Sequence, residues 1–239
     1  MLSVLILGLL LGLQHAAEAD HLAAVASLTT RGTSLRDAAR QGAAWGVGHG
    51  LTLLFFGGVV LLIDGIVGPQ ISLLLEAAVG LMLVFLGLDV LMRLWRARVH
   101  FHVHRHGAQT HFHAHSHAPG QAHALDPHRH NHNRKLPLRA MLVGMVHGMA
   151  GSAALILFAL GDARSVWEGL AYVFMFGIGS VIGMTALALV ISLPLRWSAR
   201  SLTWAHGGIT AGLGIFTVAL GALLMQQSAA QLLHGAATS

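Results

Sequence analysis

A chain of 239 residues that is 55% hydrophobic and only 10% charged holds more apolar surface than one water-soluble core can hide, which excludes an ordinary soluble domain and leaves a polytopic membrane protein. Its formal charge of +5 suggests nucleic acid at first sight. The arginines, however, sit in short segments between apolar runs with no basic groove of interleaved aromatics, so the bilayer and not nucleic acid is the expected partner. The absence of cysteine removes a disulfide framework and thiolate metal sites, and disfavours soft ions such as copper(I).

Apolar stretches of about 20 residues or more, the length an α-helix needs to cross about 30 Å of hydrocarbon, fall near 2–28, 39–63, 71–95, 138–160, 167–193 and 202–226. The expected fold class is therefore an all-α membrane protein of six transmembrane helices. The first span lacks the basic segment of a cleavable signal peptide and is expected to stay. Within it lies His15-Ala-Ala-Glu18-Ala-Asp20-His21. One ionisable side chain near a bilayer centre costs about 2.5 to 3.5 kcal/mol on insertion scales, so four in seven residues must be stabilised by something they bind. A metal ion crossing the membrane fits that requirement.

Loop charges set the orientation. Arg31, Arg36 and Arg40 follow the first span; Arg93, Arg96, Arg98, Arg105, Arg129, Arg134, Lys135 and Arg139 surround the long central loop; Arg196 and Arg200 follow the fifth span; Arg164 lies on the opposite side. In a cytoplasmic membrane this places both termini outside and the loop inside. The chain divides into a first three-helix half (1–98), a cytoplasmic His-rich loop (99–136) and a second three-helix half (137–239).

The loop carries His100, His102, His104, His106, His111, His113, His115, His117, His123, His128, His130 and His132. Spacing at every second position does not align side chains on one helical face, and the Gly, Pro, Asn and Gln content predicts a disordered tract. Imidazoles at that density buffer nickel, cobalt, zinc or copper with little selectivity. They are not expected to form the transport path.

Glycine and histidine register relates the flanking halves. Gly12-Leu-Gln-His15 aligns with Gly144-Met-Val-His147, and Gly46-Val-Gly48-His49 with Gly177-Ile-Gly179-Ser180. Three spans per half invert the second relative to the first, so a 3+3 inverted repeat with a midplane site is expected. Small-xxx-small pairs, which let membrane helices approach closely, occur at Gly8/Gly12, Gly42/Gly46/Gly50, Gly144/Gly148, Gly179/Gly183 and Gly208/Gly212. His15, His49 and His147 each stand three residues after one of these glycines and share its helix face. Each also lies roughly 10 to 13 residues into its span, near mid-depth at 1.5 Å per residue.

These three histidines, with Asp20 and His21, form the candidate ligand set. At about 100° per residue, His15, Asp20 and His21 project more than about 90° apart on an unbroken helix. Either the helix unwinds near Ala16 to His21, or the motif divides between ligands and residues that orient them. Glu18, three residues from both histidines, is a ligand or a hydrogen-bond acceptor that fixes a tautomer. Asp89 and Arg93 read as a structural ion pair.

The segment HAAEADHLAAV, containing His15-x4-Asp20-His21, resembles the signature of the nickel/cobalt transporter superfamily, and Gly48-His49-Gly50 resembles its second-helix Gly-His motif. Gly144-Met-Val-His147-Gly-Met-Ala-Gly151-Ser152 is similar to the six-helix branch of urease-accessory-type nickel permeases. The resemblance covers essentially the whole chain except the central loop. It implies secondary transport of Ni(II), often Co(II), with the His-Asp-His motif as selectivity element, no resident cofactor, and nickel-enzyme maturation proteins as partners. Ser152 stands where the repeat would place a counterpart of Asp20, and Ser180 opposite His49; both are weaker site candidates. An enzyme is not expected, because His15-x-x-Glu18 completes neither zinc-peptidase pattern, and no phosphate-binding loop supports ATP hydrolysis. Uptake is the expected direction, with proton-coupled efflux the alternative.

Overall fold

The computed structural model describes residues 2–30, 34–62, 68–96, 100–106, 109–115, 137–149, 165–201 and 203–237. Apolar sequence of membrane length forms helix wherever it is described, since backbone polar groups inside hydrocarbon must be satisfied within the segment. The helices are α1 (Leu2–His15), α2 (Ala19–Thr29), α3 (Leu35–Leu62), α4 (Pro69–Arg96), α5 (Leu138–Met149), α6 (Val166–Ser201) and α7 (Thr203–Ala237). Two begin on local caps: the Ser34 hydroxyl accepts from the Asp37 amide at 3.0 Å and donates to its carboxylate at 2.6 Å, and Ser165 Oγ accepts from the Glu168 amide at 3.3 Å.

Four helices are long and apolar enough to cross a bilayer unbroken, over Leu35–Val60, Gln70–Arg96, Val166–Ser198 and His206–His234. α1 and α2 pass the same test together but bend by 61° where they meet, the geometry of a broken span or of a re-entrant pair. The fourth expected span is described only as the short apolar helix α5, and its remainder lies outside the described residues. The chain is a multi-pass helical membrane protein.

α4 packs on α7, while α6 packs on both α3 and α1. Glycines make these approaches. A Cβ on Gly12 would strike the Phe176 carbonyl of α6, and one on Gly144 the Trp45 carbonyl of α3. Likewise, Gly179 abuts the Leu9 carbonyl and Gly48 the Met141 carbonyl. These contacts come in matched pairs, α1 with α6 and α5 with α3, each joining one half to the other at positions the register had aligned. Gly208 and Gly212 have no described residue within 4 Å of an added Cβ. α7 instead meets α4 through Gly214 against Gly87 and Gly221 against Gly80, spaced by seven and so missed by a search for four-residue pairs.

One end of the bundle carries Arg36 and Arg40 of α3, Arg93 of α4, Arg139 of α5 and Arg196 of α6. There Asp89 receives Arg93 at 3.3 Å and Arg139 at 3.2 Å, and Arg93 also donates to the Thr30 hydroxyl just past α2 at 3.2 Å. The expected pair is thus a cluster tying α2, α4 and α5 together.

The central loop is not irregular throughout, as its composition had suggested. β1 (His100–His106) pairs antiparallel with β2 (Gln109–His115), in a register that sets His100 opposite His115, His102 opposite His113 and His104 opposite His111. A period of two is the period of a strand, and alternating Phe101, Val103 and Phe112 favour one. His117, His123, His128, His130 and His132 lie outside the described residues.

Candidate metal centre

The motif reaches its geometry through the break between α1 and α2. No proline or glycine lies between His15 and Ala19, so the chain does not break for a local reason. It closes a tight turn, with the Ala17 amide on the Gln14 carbonyl at 2.9 Å and the Glu18 amide on the His15 carbonyl at 3.1 Å. The helix unwinds at this point, and the carboxylates lie in hydrogen-bond contact with the histidines.

His15 and His21, on either side of the break, come together with ring centroids 4.2 Å apart. His49 of α3 lies 5.3 Å from His15 and 5.2 Å from His21, and His147 of α5 lies 4.2 Å from His21. Four histidines from four helices thus share one cluster. His21, His49 and His147 are fully buried, and His15 is 12% exposed. One ring nitrogen from each of His15, His21 and His49 falls within 4.8 Å of the others, as do an oxygen of Asp20 and a nitrogen from each of His21 and His147.

The carboxylates differ in role. Asp20 accepts from His21 Nδ1 at 2.9 Å and His147 Nε2 at 3.0 Å, and from the His21 amide at 2.9 Å. A carboxylate can only accept, so both imidazoles must turn an N–H toward it and present their other nitrogen as a lone pair. Glu18 is the N-cap residue of α2 but makes no side-chain capping hydrogen bond; its carboxylate lies 2.9 Å from His15 Nδ1 and is 56% exposed. The outcome is a set of buried ring nitrogens, His15 Nε2, His21 Nε2, both nitrogens of His49 and His147 Nδ1, with no hydrogen-bond partner among the described residues. Buried polar atoms are normally paired. Unpaired lone pairs on neighbouring rings, aligned by carboxylates behind them, are the donor arrangement a divalent transition ion takes.

The weaker candidates fall elsewhere. Ser180 is buried with its hydroxyl donating to the Gly12 carbonyl at 3.4 Å, and Ser152 lies outside the described residues. The sequence reading missed Trp45. This fully buried indole packs 5.4 Å from His21, 6.4 Å from His49 and 5.5 Å from His147. Its signal was available, because Trp45 stands four residues before His49 and so shares its helix face.

Fold and cluster together define a multi-pass helical membrane protein with a buried histidine and carboxylate centre. Over 203 residues the chain is 33% identical to the urease accessory protein UreH of Bacillus sp. (strain TB-90), a match covering 84% of this chain and 82% of that protein. The chain belongs to the UreH family, within the nickel/cobalt permeases, and is a transporter or accessory protein and not an enzyme. No family model and no solved structure matches it.

Proposed function

We propose that the chain is a permease carrying Ni(II), and Co(II) less tightly, through the cytoplasmic membrane in the direction of uptake. The observation that carries this reading is the buried group of unpaired imidazole nitrogens on His15, His21 and His49. Nitrogen donors suit intermediate divalent ions and not magnesium or calcium, and the affinity order places nickel above cobalt. In this account His15, His21 and His49 ligate the ion, His147 stands beside them as a further donor, and Asp20 and Glu18 hold the rings in register. A carrier must release its ion, and imidazoles gathered at a helix break give a less complete cage than a closed structural site.

The matched contacts of Gly12 with Phe176 and Gly144 with Trp45, and of Gly179 with Leu9 and Gly48 with Met141, support reading the two halves as an inverted repeat around this centre. Uptake of a divalent cation needs no further coupling, because an inside-negative potential supplies about 4.6 kcal/mol per 100 mV, twice the value of about 2.3 for one charge. The His-rich hairpin and its flanks serve as a metal buffer on the cytoplasmic side.

Radioactive nickel accumulation in cells with and without the intact gene tests the reading. Higher nickel content with the gene supports uptake; lower content would reverse the direction to efflux, and unchanged content would remove the transport role.

A further inference from the structure

We infer that Trp45 is the gate of this centre toward the arginine-rich end of the bundle, the barrier that must move before an ion can leave that way. The inference rests on the permease reading for its meaning, though not for its test.

Three observations carry it. Trp45 lies one turn from His49 toward the α3 terminus that bears Arg36 and Arg40, and its ring packs on His21, His49 and His147. Ala24, Leu28 and Ala140 are buried with it in one apolar cluster. At the helix break the exposed groups are the carboxylates, Glu18 at 56% and Asp20 at 26%. Trp45 is the largest side chain of that apolar cluster and the one set against the histidines.

That side chain is held in an unbalanced position. Gly144 of α5 admits it, because a Cβ there would meet both the Trp45 carbonyl and its Cδ1, so a shift of α5 against α3 moves the indole. Its Nε1–H is buried with no hydrogen-bond partner among the described residues. Leaving a buried donor unpaired is unfavourable, and indole N–H groups usually find a partner. Rotation toward the polar end would give the N–H an acceptor and open the path. The closed position is therefore held by packing against an opposing polar cost, as a gate requires.

The cysteine-free chain permits a direct test. Thr52→Cys places one thiol on α3 past His49, on the far side of the centre from Trp45, in oriented vesicles exposed to a charged thiol reagent from the arginine-rich side, with Leu35→Cys marking the freely accessible rate. With Trp45 intact the thiol should react slowly. Adding Trp45→Ala should raise the rate at least about ten-fold, equivalent to about 1.4 kcal/mol removed from opening. Trp45→Phe, which keeps a ring and removes the N–H, should react no faster than the parent. Should Trp45→Ala fail to insert, Trp45→Leu carries the same test. Equal rates with Trp45 and with its small replacement, or a parent as fast as Leu35→Cys, would overturn the gate. Failure of the unaltered chain to bind Ni(II) in equilibrium dialysis would instead overturn the permease reading and leave the accessibility result standing.

Discussion

Replacing Asp20 separates the work of orienting ligands from that of supplying them. In Asp20→Ala the side-chain N–H groups of His21 and His147, now 2.9 and 3.0 Å from a carboxylate oxygen, lose their acceptor inside the bundle. Each buried donor left unpaired costs about 1 to 3 kcal/mol. The rings escape that cost by rotating or changing tautomer, either of which turns the lone pairs of His21 Nε2 and His147 Nδ1 away from the ion. Loss of such a carboxylate partner lowers metal affinity by about 10- to 100-fold, or about 1.4 to 2.8 kcal/mol. Asp20→Asn keeps one acceptor oxygen and brings an NH2 group to the other ring, so it should fall between the parent and Asp20→Ala. Equilibrium dialysis of purified protein against radioactive Ni(II), with circular dichroism to verify folding, measures the series. A folded Asp20→Ala protein that binds within about three-fold of the parent would refute the orienting role, since it would show the rings aligned without their carboxylate.

Other perturbations follow from the packing. Gly12→Val and Gly144→Val drive a side chain into the carbonyls of Phe176 and Trp45, and each should lower stability in detergent by about 1 to 3 kcal/mol or more; Gly212→Ala, with no described residue within 4 Å of the added Cβ, should be neutral or stabilising by up to about 1 kcal/mol. Thermal unfolding distinguishes the two sets, and equal effects would mean the approaches are misplaced. Deleting residues 100–132 while keeping a linker should leave transport measurable and alter mainly its dependence on metal concentration; complete loss in an inserted protein would move the site into the loop. A reporter fused after Ser239 should be extracytoplasmic and one inserted near Gln109 cytoplasmic, and the opposite pattern would invert the orientation.

The sequence made the site more legible than the path of the chain through it. His15, His49 and His147 were found because each follows a contact glycine by three residues, and all three of those glycines do lie at helix contacts. The break at Ala16 to Glu18 was legible only as a geometric conflict. Alanine and glutamate favour helix, and the turn is imposed by distant partners, His147 holding Asp20 and His49 lying beside both rings of the motif. Trp45 escaped notice because an indole reads as packing until its neighbours are known. The hairpin was missed when period-two spacing was judged only against helical geometry, and the α4 to α7 approach because its glycines repeat at seven.

Transport by purified protein in vesicles tests the imidazole centre most directly. Nickel should enter with the parent and with Met145→Leu, and the flux should disappear with His15→Ala and with His49→Ala while both variants remain inserted; magnesium should not be carried. Magnesium flux equal to that of nickel, or normal nickel transport by both histidine variants, would contradict a centre built from these imidazoles.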